Sequence, residues 1–280
     1  MPPKKLRTMK FANILSKFYF EPWFVRPDKH AAIGQLLQEH MRNGKIVGPV
    51  DGWTGEAIIP QMEIYNGVAW LPAHGFLGRG LSKLELMCGG CDYAHIAEFL
   101  QMAAEDQSVH TILLDIDSAG GMGQGLPELL SLVREIGTQK QIVAWTEGLA
   151  CSAGYWLACG ASEIYASPSA SVGCVGTYIA AVDSSRAYEM EGLRLELFKS
   201  GKLKALGLQG KEWNDDERDY LQSIVDRHAA EFRDAVRAAR PAVAEDTLDG
   251  RWFDGRESVS LGLVDGTFDR IDQLLPALLR

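Results

Sequence analysis

The run Thr111-Ile112-Leu113-Leu114-Asp115-Ile116 sets the fold class. Its four apolar residues, Ile112, Leu113, Leu114 and Ile116, nearly consecutive, describe a strand buried on both faces, as in a parallel sheet covered by helices. A glycine-rich turn, Ser118 to Gly125, follows it, and then a helical pattern through Leu129, Leu130, Leu132 and Val133. Upstream, Val68 to His74 reads as a buried strand ending at Gly75. Asp92 to Ala104 has helical spacing with Ile96, Phe99, Leu100 and Ala103 on one face. Downstream, Gln141 to Trp145 is the next strand and a helix begins at Ser152. Shorter strands are predicted at Glu163 to Ala166, Val175 to Val182 and Arg194 to Phe198, with a helix around Ser185 to Met190. A long amphipathic helix covers 214–239, capped by Asn214 and stopped by Pro241. A short helix over Phe253 to Gly262, a strand at Leu263-Val264 and a helix over Arg270 to Leu279 complete the pattern. The alternation predicts an α/β fold, a mostly parallel sheet in β-α-β units covered by helices.

The chain has 280 residues, net charge −9 and 46% apolar content, which suits a domain with a real core. Turn signals at Gly44, Pro49, Asp51-Gly52 and Gly55 mark residues 1–60 as an N-terminal extension and 61–280 as the main domain. The acidic balance argues against nucleic acid as a partner. Lys4, Lys5, Arg7 and Lys10 read as a solvated tail. Phe11 to Val25 is apolar but broken by Lys17 and Glu21, and it lacks a small-residue cleavage pattern. It reads as an amphipathic docking segment, with a helix packed on its own domain favoured over membrane attachment. No stretch reaches the roughly 18 apolar residues of a membrane span, so a soluble, cytoplasmic protein is expected. Five cysteines, an odd number, fit a reducing compartment.

Ser152 lies among small residues, Ala150, Ala153 and Gly154, where a substrate backbone can approach. Serine is also a preferred N-cap, the bland alternative. Against that stand the carboxyl end of a strand, where open α/β sheets place their sites, and a helix start that favours a developing oxyanion. Lys204 ends the run Lys199-Ser200-Gly201-Lys202-Leu203-Lys204 and precedes apolar Ala205-Leu206. A lysine can take a serine's proton only if burial lowers its own affinity for one. Lys199 and Lys202 compete for that role. The turn Asp117 to Gly123 lacks the lysine of a P-loop and the order of a dinucleotide site. Its other reading is an oxyanion hole in which the Gly121 N–H joins that of Ala153. Cys88-Gly89-Gly90-Cys91 with His95 has half the spacing of a zinc site and no second pair. The six histidines form no triad-like pattern, and Asp115 and Asp117 bracket a strand end without a metal role.

Together the runs LLDIDSAGG (113–121), ACSAGYWLA (150–158), SVGCVGT (171–177), SGKLK (200–204) and RWFDGRESVSLGLVDG (251–266) resemble the signal peptide peptidase A family of Ser–Lys peptidases. The resemblance covers residues 67–268 and implies a ClpP/crotonase-like fold. It makes Ser152 the nucleophile, Lys204 the general base, and Gly121 and Ala153 the oxyanion donors. Gly120, Met122 and Gly123 then line the strand edge along which an extended peptide lies. Where family members carry S-P-G-G this chain has Ala119, and where they carry a serine that orients the lysine it has Cys174. Ser171 and Thr177 are alternative orienting groups. The implied chemistry needs no cofactor and no metal. The absence of an N-terminal span and the Glu21-Pro22-Trp23 region favour the phage branch of prohead proteases, acting on scaffold or capsid proteins in the host cytoplasm or prohead interior as a homo-oligomeric ring or dome. A soluble cellular peptidase is the alternative. A crotonase-like acyl-CoA binder or a non-catalytic assembly subunit is the alternative of another class.

Overall fold

The computed structural model describes residues 22–31, 34–35 and 61–279. Among these described residues eleven strands form one sheet: β1 (Trp23–Val25), β2 (Glu63–Tyr65), β3 (Val68–Gly78), β4 (Gly90–Asp92), β5 (Thr111–Met122), β6 (Gln141–Thr146), β7 (Leu149–Cys151), β8 (Glu163–Ala166), β9 (Ser171–Gly173), β10 (Trp252–Asp254) and β11 (Gly266–Thr267). Seven of the ten pairings are parallel, so the expected α/β class holds. The opening run is the spine of this sheet. β3 covers one edge of β5 from Thr111 to Gly121. On the opposite edge three partners succeed one another: β6 at 111–115, β7 at Ser118, and β1, antiparallel, at 120–122.

Alternation along β5 explains why it reads as continuously apolar. Ile112, Leu114 and Ile116 are buried in a layer with Ile96, Leu100, Leu130, Val133 and Trp156, from the helices Tyr93–Glu105, Leu126–Gly137 and Ala153–Ala158. Leu113 faces the other way and packs with Val143, Trp145, Leu274 and Leu278. Two buried faces demand apolar residues at successive positions, not alternate ones.

The chain divides into two compact units, one of Trp23–Thr177 with Arg227–Arg280, the other built on Tyr178–Asp226. The first holds the sheet. The second contains the helix Ser185–Met190, a run of turns, and the start of the helix Asp215–Ala239. Asn214 caps that helix as expected: its Oδ1 accepts the Glu217 N–H at 3.0 Å, and Glu217 Oε2 accepts the Asn214 N–H at 3.3 Å, a reciprocal capping box. Glu217 is buried and ion-paired with Lys211.

Several expectations are corrected. β5 does not end before Ser118; it continues to Met122, because Gly120 and Gly121 let neighbouring backbones close on both edges. Residues 175–182 and 194–198 form no strands. The apolar residues Val182 and Phe198 are 60% and 93% exposed, so their hydrophobicity marks a surface, not a sheet. Residues 253–262 split into the end of β10 and the helix Gly255–Ser260, and the last strand falls at Gly266–Thr267 instead of Leu263-Val264. In the Phe11–Val25 segment the last three residues are extended, not helical. The basic start, residues 11–21 and the turn signals of 44–55 lie outside the described residues. No helix among the described residues is long and apolar enough to cross a membrane.

Candidate active site

β7 delivers Ser152 to the start of the buried helix Ala153–Ala158. The serine backbone is held at φ 54°, ψ −118°, a region that L-residues occupy only when their surroundings force it. The forcing contacts are visible. The Ser152 N–H donates to the Gly173 carbonyl at 2.7 Å, and the Ser152 carbonyl accepts from the Trp156 N–H at 2.9 Å. Ser152 occupies the N-cap position, but its side chain makes no capping hydrogen bond. Trp156 stacks on Phe232 at 4.7 Å and 10°, and the Tyr155 hydroxyl donates to the Leu263 carbonyl at 2.8 Å. The 251–266 run thus helps to anchor the serine-bearing helix.

The glycine strand lies beside it, with Ser118 paired to Ala150. The Ser118 hydroxyl donates to the Gly75 carbonyl at 2.6 Å and accepts from the Gly120 N–H at 3.1 Å. This staple restrains the segment that lacks the family's proline, a compensation the motif did not reveal. It also commits the Gly120 N–H, leaving Gly121 as the glycine whose amide could face a substrate oxygen. A Cβ at Gly120 would sit 1.9 Å from the Phe24 carbonyl oxygen, and one at Gly121 1.9 Å from that of Leu77. Gly120 further needs its φ of +112°. Ala153 is the first helical residue, where an amide has no acceptor within its own helix. Met122 is buried on β5, and Gly123 lies against the Phe24 ring.

Cys174 follows Gly173 at φ +55° and donates its N–H to the Arg251 carbonyl at 2.7 Å. Burial pushes its thiol up to about 11, against the lowering effect of Arg26. Cys151 is pushed up to about 12 by burial and then by Cys174, again opposed by Arg26. Both thiols are therefore neutral at physiological pH, and Cys174 can act only as a weak hydrogen-bonding group. Of the alternative orienting groups, Thr177 Oγ1 donates to the Trp23 carbonyl at 3.1 Å, and the Ser171 carbonyl accepts from Cys151 Sγ at 3.3 Å.

Lys204 belongs to the other unit. It lies in a run of turns instead of following a strand, with its N–H donating to Gly201 at 3.2 Å. The residue is exposed, at the border of an open cleft of about 640 Å³ lined also by Leu197, Phe198, Leu206 and Leu208. The desolvated amine that the sequence led us to expect is not formed within that unit. Lys202 is exposed and ion-paired with Asp216 at 3.3 Å, and Lys199 Nζ donates to the Lys202 carbonyl at 2.6 Å.

The other titratable motifs serve the scaffold. Asp115 accepts from Trp70 Nε1 at 2.9 Å and pairs with His74 Nε2 at 3.0 Å. Asp117 accepts the Leu149 N–H at 3.1 Å. Cys88 is exposed and Cys91 buried, its thiol pushed up to about 12 by that burial. Sequence reasoning missed β1 altogether, although Trp23-Phe24-Val25 between Pro22 and Pro27 has the composition of a short strand bounded by breakers.

Comparison with known proteins gives the family. Residues 134–275, just over half the chain, match Peptidase family S49, and the chain belongs to that family. It is 31% identical over 214 residues to capsid assembly protease C of Escherichia phage lambda, covering 76% of this chain and 49% of that protein. It is 23% identical over 202 residues to the chloroplastic serine protease SPPA of Arabidopsis thaliana, covering 71% of this chain and 30% of that protein. The chain thus spans about half the length, or less, of these relatives. Among solved structures, a mutant of ClpP1 from Listeria monocytogenes aligns at 13% identity and TM-score 0.45, over 75% of this chain and 94% of that one.

Proposed function

We propose that this chain is a serine endopeptidase in which Ser152 is the nucleophile and Lys204 the general base. The observation that carries the reading is the Ser152 backbone. A buried serine is held in a strained conformation, at a strand's carboxyl end, with no capping hydrogen bond from its side chain. Strain of that kind is kept where geometry matters more than stability.

In the first step Ser152 Oγ attacks the scissile carbonyl carbon while its proton passes to the Lys204 amine. The tetrahedral oxyanion is held by the N–H groups of Gly121 and Ala153. Collapse breaks the C–N bond, the leaving amine takes the proton from lysine, and an acyl-enzyme remains. Lysine then draws a proton from water, whose oxygen attacks the ester; collapse breaks the C–Oγ bond, lysine returns the proton to Ser152 Oγ, and the acid is released. A lysine base needs removal from water, and Lys204 is exposed, so it must be covered before it can act. Assembly of a homo-oligomer, closing over the open cleft beside Lys204, is the event we assign to that step. Cys174 would orient the amine weakly.

By likeness to the lambda protein, whose name assigns it to capsid assembly, the substrates are extended segments of scaffold or capsid proteins. The test is covalent labelling with a fluorophosphonate, followed by mass spectrometry. Wild-type protein should gain one adduct and Ser152→Ala none. An adduct that survives in Ser152→Ala, on a folded protein, contradicts the assignment.

A further inference from the structure

A peptide substrate of the proposed enzyme must add a strand to the glycine-rich end of β5, beside Ser152. That edge is already taken. β1 runs antiparallel along it, with Val25 opposite Gly120, Phe24 opposite Gly121 and Trp23 opposite Met122. The Arg26 N–H donates to the Ala119 carbonyl at 3.0 Å. By the alternation of antiparallel pairs, Phe24 and Gly121 are the next mutually hydrogen-bonded pair, which directs the Gly121 amide at the Phe24 carbonyl instead of at a substrate oxygen. The other side of β1 is tied as well, through the Trp23 carbonyl and Thr177 Oγ1 at 3.1 Å.

We infer that Trp23–Val25 is an internal ligand of the peptide track, so that the chain in this arrangement is latent and residues 22–26 must leave before substrate can bind. The inference rests on the peptidase reading of Ser152. One further observation favours it. Phe24 fills an apolar pocket against Trp156, one helical turn from Ser152, and Phe232, as a bound side chain would. Arg26, at the end of the segment, lies over the Trp252 ring at 4.3 Å and pairs with Asp28 at 3.1 Å. Displacement of the segment would free the glycine edge.

The test uses the unmodified full chain. One sample is treated with diisopropyl fluorophosphate, which phosphorylates serine with loss of fluoride and does not need the track. Another is treated with a peptidyl diphenyl phosphonate, which loses phenol and must lie along it. Mass spectrometry confirms the adduct on Ser152, and amide hydrogen exchange is then followed. The peptidyl adduct should speed exchange at Phe24 and Arg26 by at least about tenfold, as a segment passing from sheet to solvent does. The small adduct should leave those amides protected. Unchanged protection of Phe24 and Arg26 in fully peptidylated protein would make β1 a permanent strand and overturn the inference while leaving the peptidase reading intact. If neither reagent attaches to Ser152, the peptidase reading itself has failed, and the inference falls with it.

Discussion

Leu149–Ala158 and Leu197–Leu208 carry the two residues assigned to the chemistry, and they are built in opposite ways. In the first, almost every residue is buried, the backbone is held in a strained turn, and Tyr155 and Trp156 lock the helix to the core. In the second, the backbone runs through turns, Phe198 is almost fully exposed, and Lys204 faces an open cleft. A nucleophile needs a fixed position, which packing supplies within one chain. A lysine base needs removal from water, which this segment does not supply by itself. On the proposed reading, the serine is set in place on folding and the lysine on assembly or substrate binding.

Turnover should separate the two segments most. Lys204→Ala should lower kcat by about 10³- to 10⁴-fold, whereas Lys202→Ala should change it by less than about twofold, since an exposed ion pair contributes little. Steady-state peptide hydrolysis on folded variants checks this, and the reverse pattern moves the base to Lys202.

Stability separates the regions next. Trp156→Ala removes the ring stacked on Phe232 beneath the serine and should cost about 3–5 kcal/mol. Asn214→Ala removes half of the capping box in the other unit and should cost only about 1 kcal/mol. Chemical denaturation measures both, and equal losses would erase the contrast.

The smallest effects are pH responses of opposite sign. Burial raises the Glu217 pKa, but the Lys211 hydrogen bond and the Asn214 amide outweigh it and the net shift is downward. Its stabilisation is present above the ordinary glutamate range and is lost as pH falls through the lowered value. The hydrogen bond to Asp115 raises the His74 pKa, against the effect of burial. That contribution is full below the ordinary histidine value and is lost as pH rises through the raised one. NMR titration should show the His74 shift vanish in Asp115→Asn.

Much of this was legible in the chain itself. The 111–116 run, the 163–166 strand and the 185–190 helix have patterns that local physics decides, and Asn214 with Glu217 announces its own cap. The helix that begins after Ser152 was legible because the residues following the strand are small and helix-compatible. What sequence could not show depends on distant partners. The strand character of Gly120–Met122 comes from β1 and β3 closing on bare backbone, and the Ser118 staple from a carbonyl at Gly75. Arg194 to Phe198 has strand-like alternation, yet no neighbouring strand receives it among the described residues, so it stays irregular. β1 was hidden because three residues between prolines carry little periodic signal.

If Ser152 is the nucleophile, it becomes acylated during turnover. Rapid quench of the enzyme with an ester or peptide substrate, followed by digestion and mass spectrometry, should find the acyl group on the peptide containing Ser152, at a level that rises and decays with turnover. Turnover with no acylated Ser152, or with the acyl group on another residue, would contradict it.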